Sequence, residues 1–118
     1  MQIIFNREIA EKSKEKYTVL ELETIPADGK LLEAFCVIPM ESLVMEMNIL
    51  EHNIALHEKF VQAIKDNDVQ FCIDNATTLI GQFGGELDSF YKIIHDRCTT
   101  TGSTAFTTPP PAEETVDL

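Results

Sequence analysis

The chain has 118 residues, enough for one domain with a modest hydrophobic core and hardly for two. Its apolar fraction of 44% excludes wholesale disorder, and no apolar run approaches the roughly 20 residues that span a bilayer. The 20 acidic residues against 9 basic ones give a net charge of −11, the wrong sign for a protein that binds nucleic acid by neutralising phosphates.

QIIF at 2–5 is a short apolar run suited to a strand. It is too short for the apolar region of a signal peptide, and acidic residues follow at once, so a cytoplasmic location is expected. Asn6 stands where a helix N-cap belongs, with Glu8 in the first turn and Ile9 as the first inward residue of a short charged helix, REIAEKSKEK. YTVLELET (17–24) is rich in β-formers and alternates apolar residues with Glu from Leu20. Pro26-Ala27-Asp28-Gly29 reads as a turn with proline at its second position and glycine near its end. LLEAFCVI (31–38) is almost continuously apolar, as expected of a strand that is central or covered on both faces. The two longer strands form a hairpin, and QIIF is available as a third strand.

The period changes at Pro39. Leu43, Met47, Leu50, Ile54, His57, Val61 and Ile64 step by four and three, a seam predicted on one helix from about 40 to 65. Val44, Ala55, Phe60 and Ala63 widen its apolar side. Lys65-Asp66-Asn67-Asp68 breaks that helix and supplies an N-cap for the next, whose apolar positions are Val69, Cys72, Ala76, Leu79 and Phe83. Two amphipathic helices joined by so short a link predict an antiparallel hairpin. A third helix follows, with Leu87, Phe90, Tyr91 and Ile94 inward. The expected fold is therefore α+β: a β-hairpin or small three-stranded sheet with a short helix, then three amphipathic helices. One compact domain is expected over 1–98, with the Thr/Pro-rich, acidic stretch 99–118 as a flexible tail.

The most site-like stretch is GQFGGELDSFYK (81–92). A phosphate cradle would present bare backbone N–H groups at a helix N-terminus. Glu86 and Asp88 already occupy that positive end, no Lys-Ser/Thr follows the glycines, and no strand precedes them. The expectation is a helix break, with Gly81 or Gly84 ending one helix and the two acids starting the next.

His57 lies in the apolar seam and reads as a hydrogen-bonded core residue. His52 and His57 are five positions apart and cannot chelate together, and His57-Glu58 lacks the second histidine of a zincin. His95 and Cys98 supply two ligands, too few for zinc. Cys36, Cys72 and Cys98 are scattered and odd in number, and are read as reduced and structural. Pairs such as Glu21 with Glu23 and Asp66 with Asp68 read as solvated charge. No catalytic, cofactor-binding or metal residue is assigned, and no cofactor is expected.

Binding is the function class left. The acidic charge concentrates in the helical part, residues 39–98 holding 4 basic and 10 acidic side chains. The leading expectation is a non-catalytic assembly factor, adaptor or chaperone-like subunit. Its partner would be another protein offering a basic or apolar groove, with neither nucleic acid nor membrane involved. Contact residues are sought on the helical hairpin and in the tail: Glu46, Glu51, Phe60, Phe83, Tyr91, Val116 and Leu118. The 43–64 seam is either the chain's own core, which is favoured, or a homo-oligomer contact. In layout, a helical body followed by a loose C-terminal extension, the chain is similar to small acidic phage tail-assembly chaperones, and no residue is carried over from that likeness. The alternative is an acidic inhibitor that mimics nucleic acid or blocks a basic cleft, although Glu41, Glu46, Glu51 and Glu58 scatter around a helix instead of lining one stripe.

Overall fold

The structure, a computed structural model, describes residues 2–106. Three strands, β1 (Gln2–Ile4), β2 (Tyr17–Ala27) and β3 (Lys30–Pro39), make an antiparallel sheet in the order β1-β3-β2. The apolar run 31–38 is thus central, and Ala34 through Ile38 are all buried. Alternation sends Ala34, Cys36 and Ile38 to the main core, while Phe35 and Val37 face the other way. The second face is covered by α1 (Arg7–Ser13), which is capped by Asn6 through a 3.0 Å hydrogen bond from the Ile9 N–H to its Oδ1. Ala10, not Ile9, is its inward residue; Ile9 is half exposed.

The hairpin turn is tighter than the proline suggested. Ala27 pairs directly with Lys30, so only Asp28 and Gly29 make the turn, at φ 51° and 76°. This is the Asp-Gly hairpin connection whose backbone twist matches the flanking strands, and glycine takes the second positive φ without strain. Pro26 stays in the ladder opposite Leu31, as it can because β2 is an edge strand. The register shifts between Glu21 and Thr24.

The predicted helix over 40–65 is divided. Met40–Glu46 is a 3-10 segment, and α2 runs from Leu50 to Lys65. At about three residues per turn, a 3-10 segment places Leu43 and Glu46 on one inward side and turns Val44, Met45 and Met47 out. From Leu50 the seam holds: Leu50, His57 and Val61 are buried against the chain's own interior. The seam therefore serves the intramolecular core.

α2 ends in a Schellman pair, with Asp68 N–H donating to Ala63 C=O and Asn67 N–H to Ile64 C=O around a left-handed Asn67. Asp68 then caps α3 (Val69–Leu79), its Oδ1 accepting from Phe71 N–H, and α3 packs back on α2 as the second arm of the hairpin. α4 (Asp88–Thr101) packs on α3 and buries Phe90, Tyr91, Ile94 and Cys98, with Leu87 buried just ahead of it.

The expected tail begins inside this structure. α4 continues through Thr101 to a left-handed Gly102, and Thr104 is buried. Its hydroxyl donates to Ile64 C=O at 2.6 Å and its N–H to Asn67 Oδ1 at 2.9 Å. Residues 99–106 thus close the α2–α3 link, while the rest of the expected tail lies outside the described residues.

Candidate functional site

The glycine-rich stretch is a helix break, and it also holds an anion. α3 stops at Leu79, Gly81 takes φ 93°, and Phe83–Gly85 form one 3-10 turn before α4. The N–H groups of Phe83 and Gly84 converge on the Glu46 carboxylate at 2.6 and 2.8 Å. Gly81 N–H donates to Asp88 Oδ1 at 2.8 Å, and Asn53 of α2 donates to Gln82 Oε1 at 2.8 Å. Beyond the expected helix break, the stretch thus forms a small nest of backbone donors whose anion comes from the 3-10 segment of the same chain. Gly84 has φ 64°, and a Cβ there would come within 3.2 Å of the Ser42 carbonyl oxygen, so any side chain would be both strained and crowded. Phe83 accepts a left-handed φ of 54° and is fully buried. Its strain, on the order of 1–2 kcal/mol, is offset by that burial and by the bond to Glu46.

Glu46, assigned to partner contact from the sequence, is therefore turned inward. Glu46→Ala is expected to destabilise the fold by about 1–3 kcal/mol, because it strips the acceptor from the N–H of a buried residue. Hydrogen exchange at the Phe83 and Gly84 amides should accelerate with it. Unchanged exchange there would show that the carboxylate does not hold the loop.

His57 is a structural core residue. Its Nε2 lies 2.7 Å from the Glu21 carbonyl oxygen, which only accepts, so Nε2 carries the proton and Nδ1 accepts from the Tyr91 hydroxyl at 2.7 Å. Desolvation by burial pushes the imidazole down to about 4, against the hydrogen bond to Glu21, and likewise raises the Tyr91 hydroxyl above its ordinary value. Phe60 and Tyr91 meet edge to face at 5.3 Å, and Phe83 and Phe90 complete an aromatic cluster around the imidazole. Because Glu21 sits on the edge strand β2, His57 also satisfies a carbonyl there with a side chain from α2.

A groove of about 260 Å³ runs over this centre between α1 and α2. Its cations are already engaged: Arg7 with Glu33 at 2.6 Å, Lys14 with Glu11 at 3.1 Å, and Lys65 with Glu21 at 2.9 Å. Both ring nitrogens of His57 are committed as well, so the groove presents no free proton acceptor from it. Glu21 and Glu23, read as solvated, are paired. Glu23 meets Arg97 of α4 at 2.7 and 3.1 Å, with the guanidinium also donating to Thr104 C=O and lying 5.4 Å from the Phe106 ring. This corrects the solvated-charge reading for Glu21 and Glu23; the other pair divides into a helix cap, Asp68, and an exposed Asp66 that accepts from Gln62.

All three cysteines are free and buried. Burial pushes the thiols up, Cys36 to about 11 and Cys72 to about 12. Among the described residues no group of three His, Cys, Asp or Glu is placed to hold a metal ion, and no helix is long and apolar enough to cross a membrane.

The remaining sequence-assigned contact residues divide. Phe60, Phe83 and Tyr91 are fully buried, which removes them from any docking face: the aromatics taken as anchors are the interior of the hairpin. Glu51 is exposed in the first turn of α2. Val116 and Leu118 lie outside the described residues. Exposed apolar side chains gather instead in the segment the sequence treated as helix: Met40, Val44, Met45, Met47 and Ile49, with Met45 94% exposed. The signal was present as an excess of apolar residues over what one helix face needs. The stretch 39–58 carries Glu41, Glu46, Glu51 and Glu58 and contains neither Lys nor Arg. Comparison with protein-family models, curated proteins and solved structures finds no match.

Proposed function

We propose that this is a non-catalytic interaction protein, an assembly factor or adaptor, that docks another protein through the segment Met40–Ile49. The observation that carries this reading is five exposed apolar side chains within ten residues, on a segment anchored from behind by Leu43 and Glu46. Patches of this kind are unusual on a surface that makes no contacts, and methionine adapts its shape to an apolar partner. The helical hairpin offers less, because its apolar face is consumed by the core. The partner chemistry follows from the rim: Glu41 and Glu51 flank the patch with no cation on the same stretch, which suits the apolar face of a helix bordered by Lys or Arg.

A labelled amphipathic Leu/Lys helix, apolar on one face and basic at its rim, is the probe. Wild-type protein should bind it, and Met45→Glu with Met47→Glu should weaken binding by about tenfold or more while leaving the melting temperature unchanged. Affinity should fall only a few-fold between about 0.1 and 1 M salt. A collapse of binding over that range, indifferent to the methionines, would instead favour charge mimicry.

A further inference from the structure

We propose that Met45 and Met47 are a peroxide-sensitive pair, whose oxidation to methionine sulfoxide switches off docking through the 40–49 segment. The inference rests on the docking role proposed above. Met40, Met45 and Met47, of the four methionines in the chain, lie within eight residues and are 44%, 94% and 54% exposed. Among the described residues the other sulfur groups are shielded. Cys36, Cys72 and Cys98 are buried, and desolvation holds their thiols protonated, so little thiolate is available to an oxidant. Glu46 stands between Met45 and Met47 with its carboxylate on the Phe83 and Gly84 N–H groups, which keeps the backbone fixed and leaves both flanking thioethers facing solvent.

The oxidant is a hydroperoxide. A sulfur lone pair attacks one peroxide oxygen, the S–O bond forms as the O–O bond breaks, and the proton on the transferred oxygen passes to the departing one. Water or an alcohol leaves; sulfur gives up two electrons and the peroxide takes them. The product is a polar sulfoxide in the middle of the apolar patch, a change that disrupts methionine-rich interfaces and that sulfoxide reductases reverse. Met40 should react last, because it is the least exposed of the three and the Thr18 hydroxyl donates to its sulfur at 3.2 Å.

The test treats the full chain with graded hydrogen peroxide, maps oxygen uptake by peptide mass spectrometry, and measures binding of the same labelled Leu/Lys helix. Met45 and Met47 should each gain one oxygen before Met40, with the cysteines unmodified. Peptide affinity should fall about tenfold or more at an unchanged melting temperature, and should return after treatment with methionine sulfoxide reductases. A variant carrying Met45→Leu and Met47→Leu should bind the peptide and keep its affinity through the same treatment. Undiminished binding by oxidised wild type, or equal loss in the leucine variant, overturns this inference alone. Absence of binding by the untreated protein overturns it together with the docking role.

Discussion

Arg97→Met is expected to cost about 3–5 kcal/mol, a large share of the stability of a domain this size. The Arg97 side chain is 5% exposed, and its guanidinium grips the carboxylate of Glu23, whose side chain is 11% exposed, with two hydrogen bonds. Removing it leaves a carboxylate enclosed without a counter-charge. It also takes the donor from Thr104 C=O and the cation from the Phe106 ring, loosening the segment that closes the α2–α3 link. The worth of the pair is mostly the penalty of breaking it. Arg97→Met combined with Glu23→Leu should therefore recover most of the loss, since replacing both members of a buried pair by apolar groups is often nearly neutral. Urea denaturation of the two single variants and the double variant checks this. Additive losses would mean that Glu23 and Arg97 act independently.

The second large effect is acid sensitivity centred on His57. In the unfolded chain its imidazole binds a proton below about pH 6.5; in the folded protein it stays neutral down to about 4. Between those values the unfolded state holds more protons, so stability rises with pH across the window and is lost as pH falls from 6.5 toward 4. At about 1.36 kcal/mol per pH unit, the loss amounts to roughly 3 kcal/mol. Glu33 adds a loss of the same sign at the acid end, because its hydrogen bonds with Arg7 hold its carboxyl below the usual value. Comparison of wild type with His57→Gln isolates the histidine. Glutamine can donate to Glu21 C=O and accept from Tyr91 without titrating, so the variant's stability should be flatter between pH 4 and 6.5. An identical pH slope in both proteins would contradict the neutral, doubly bonded imidazole.

These sites explain what could be read along the chain. Three strands, the switch of period at Pro39 and the inward faces of three helices follow from apolar spacing, which is a local signal. His57 was legible as core for the same reason, since it occupies a position in the four-three seam. Its two bonding partners lie 34 and 36 residues away, and spacing carries no information about them. Glu23 and Glu46 look identical to solvated acids in sequence, yet each meets its partner through the tertiary fold, 74 residues away for Arg97 and 37 for Phe83. Phe60, Phe83 and Tyr91, taken as contact anchors, are buried in the chain's own interior, and sequence does not separate the two roles because interiors and interfaces use the same side chains. Two competing local signals account for the remaining differences. Asp28-Gly29 outweighed Pro26 in setting the hairpin turn, and Glu46, seated in the glycine nest, accompanies a 3-10 phase over 40–46 where the heptad spacing favoured an α-helix.

Which surface meets a partner is answered most directly by an amide chemical-shift map. Isotope-labelled protein would be titrated with the unlabelled Leu/Lys helix. The expected result is perturbation concentrated at 40–51, with smaller shifts at 81–85 through the Glu46 contact and none on α3. Shifts confined to the groove between α1 and α2, or to residues 107–118, with the 40–49 segment silent, would contradict it.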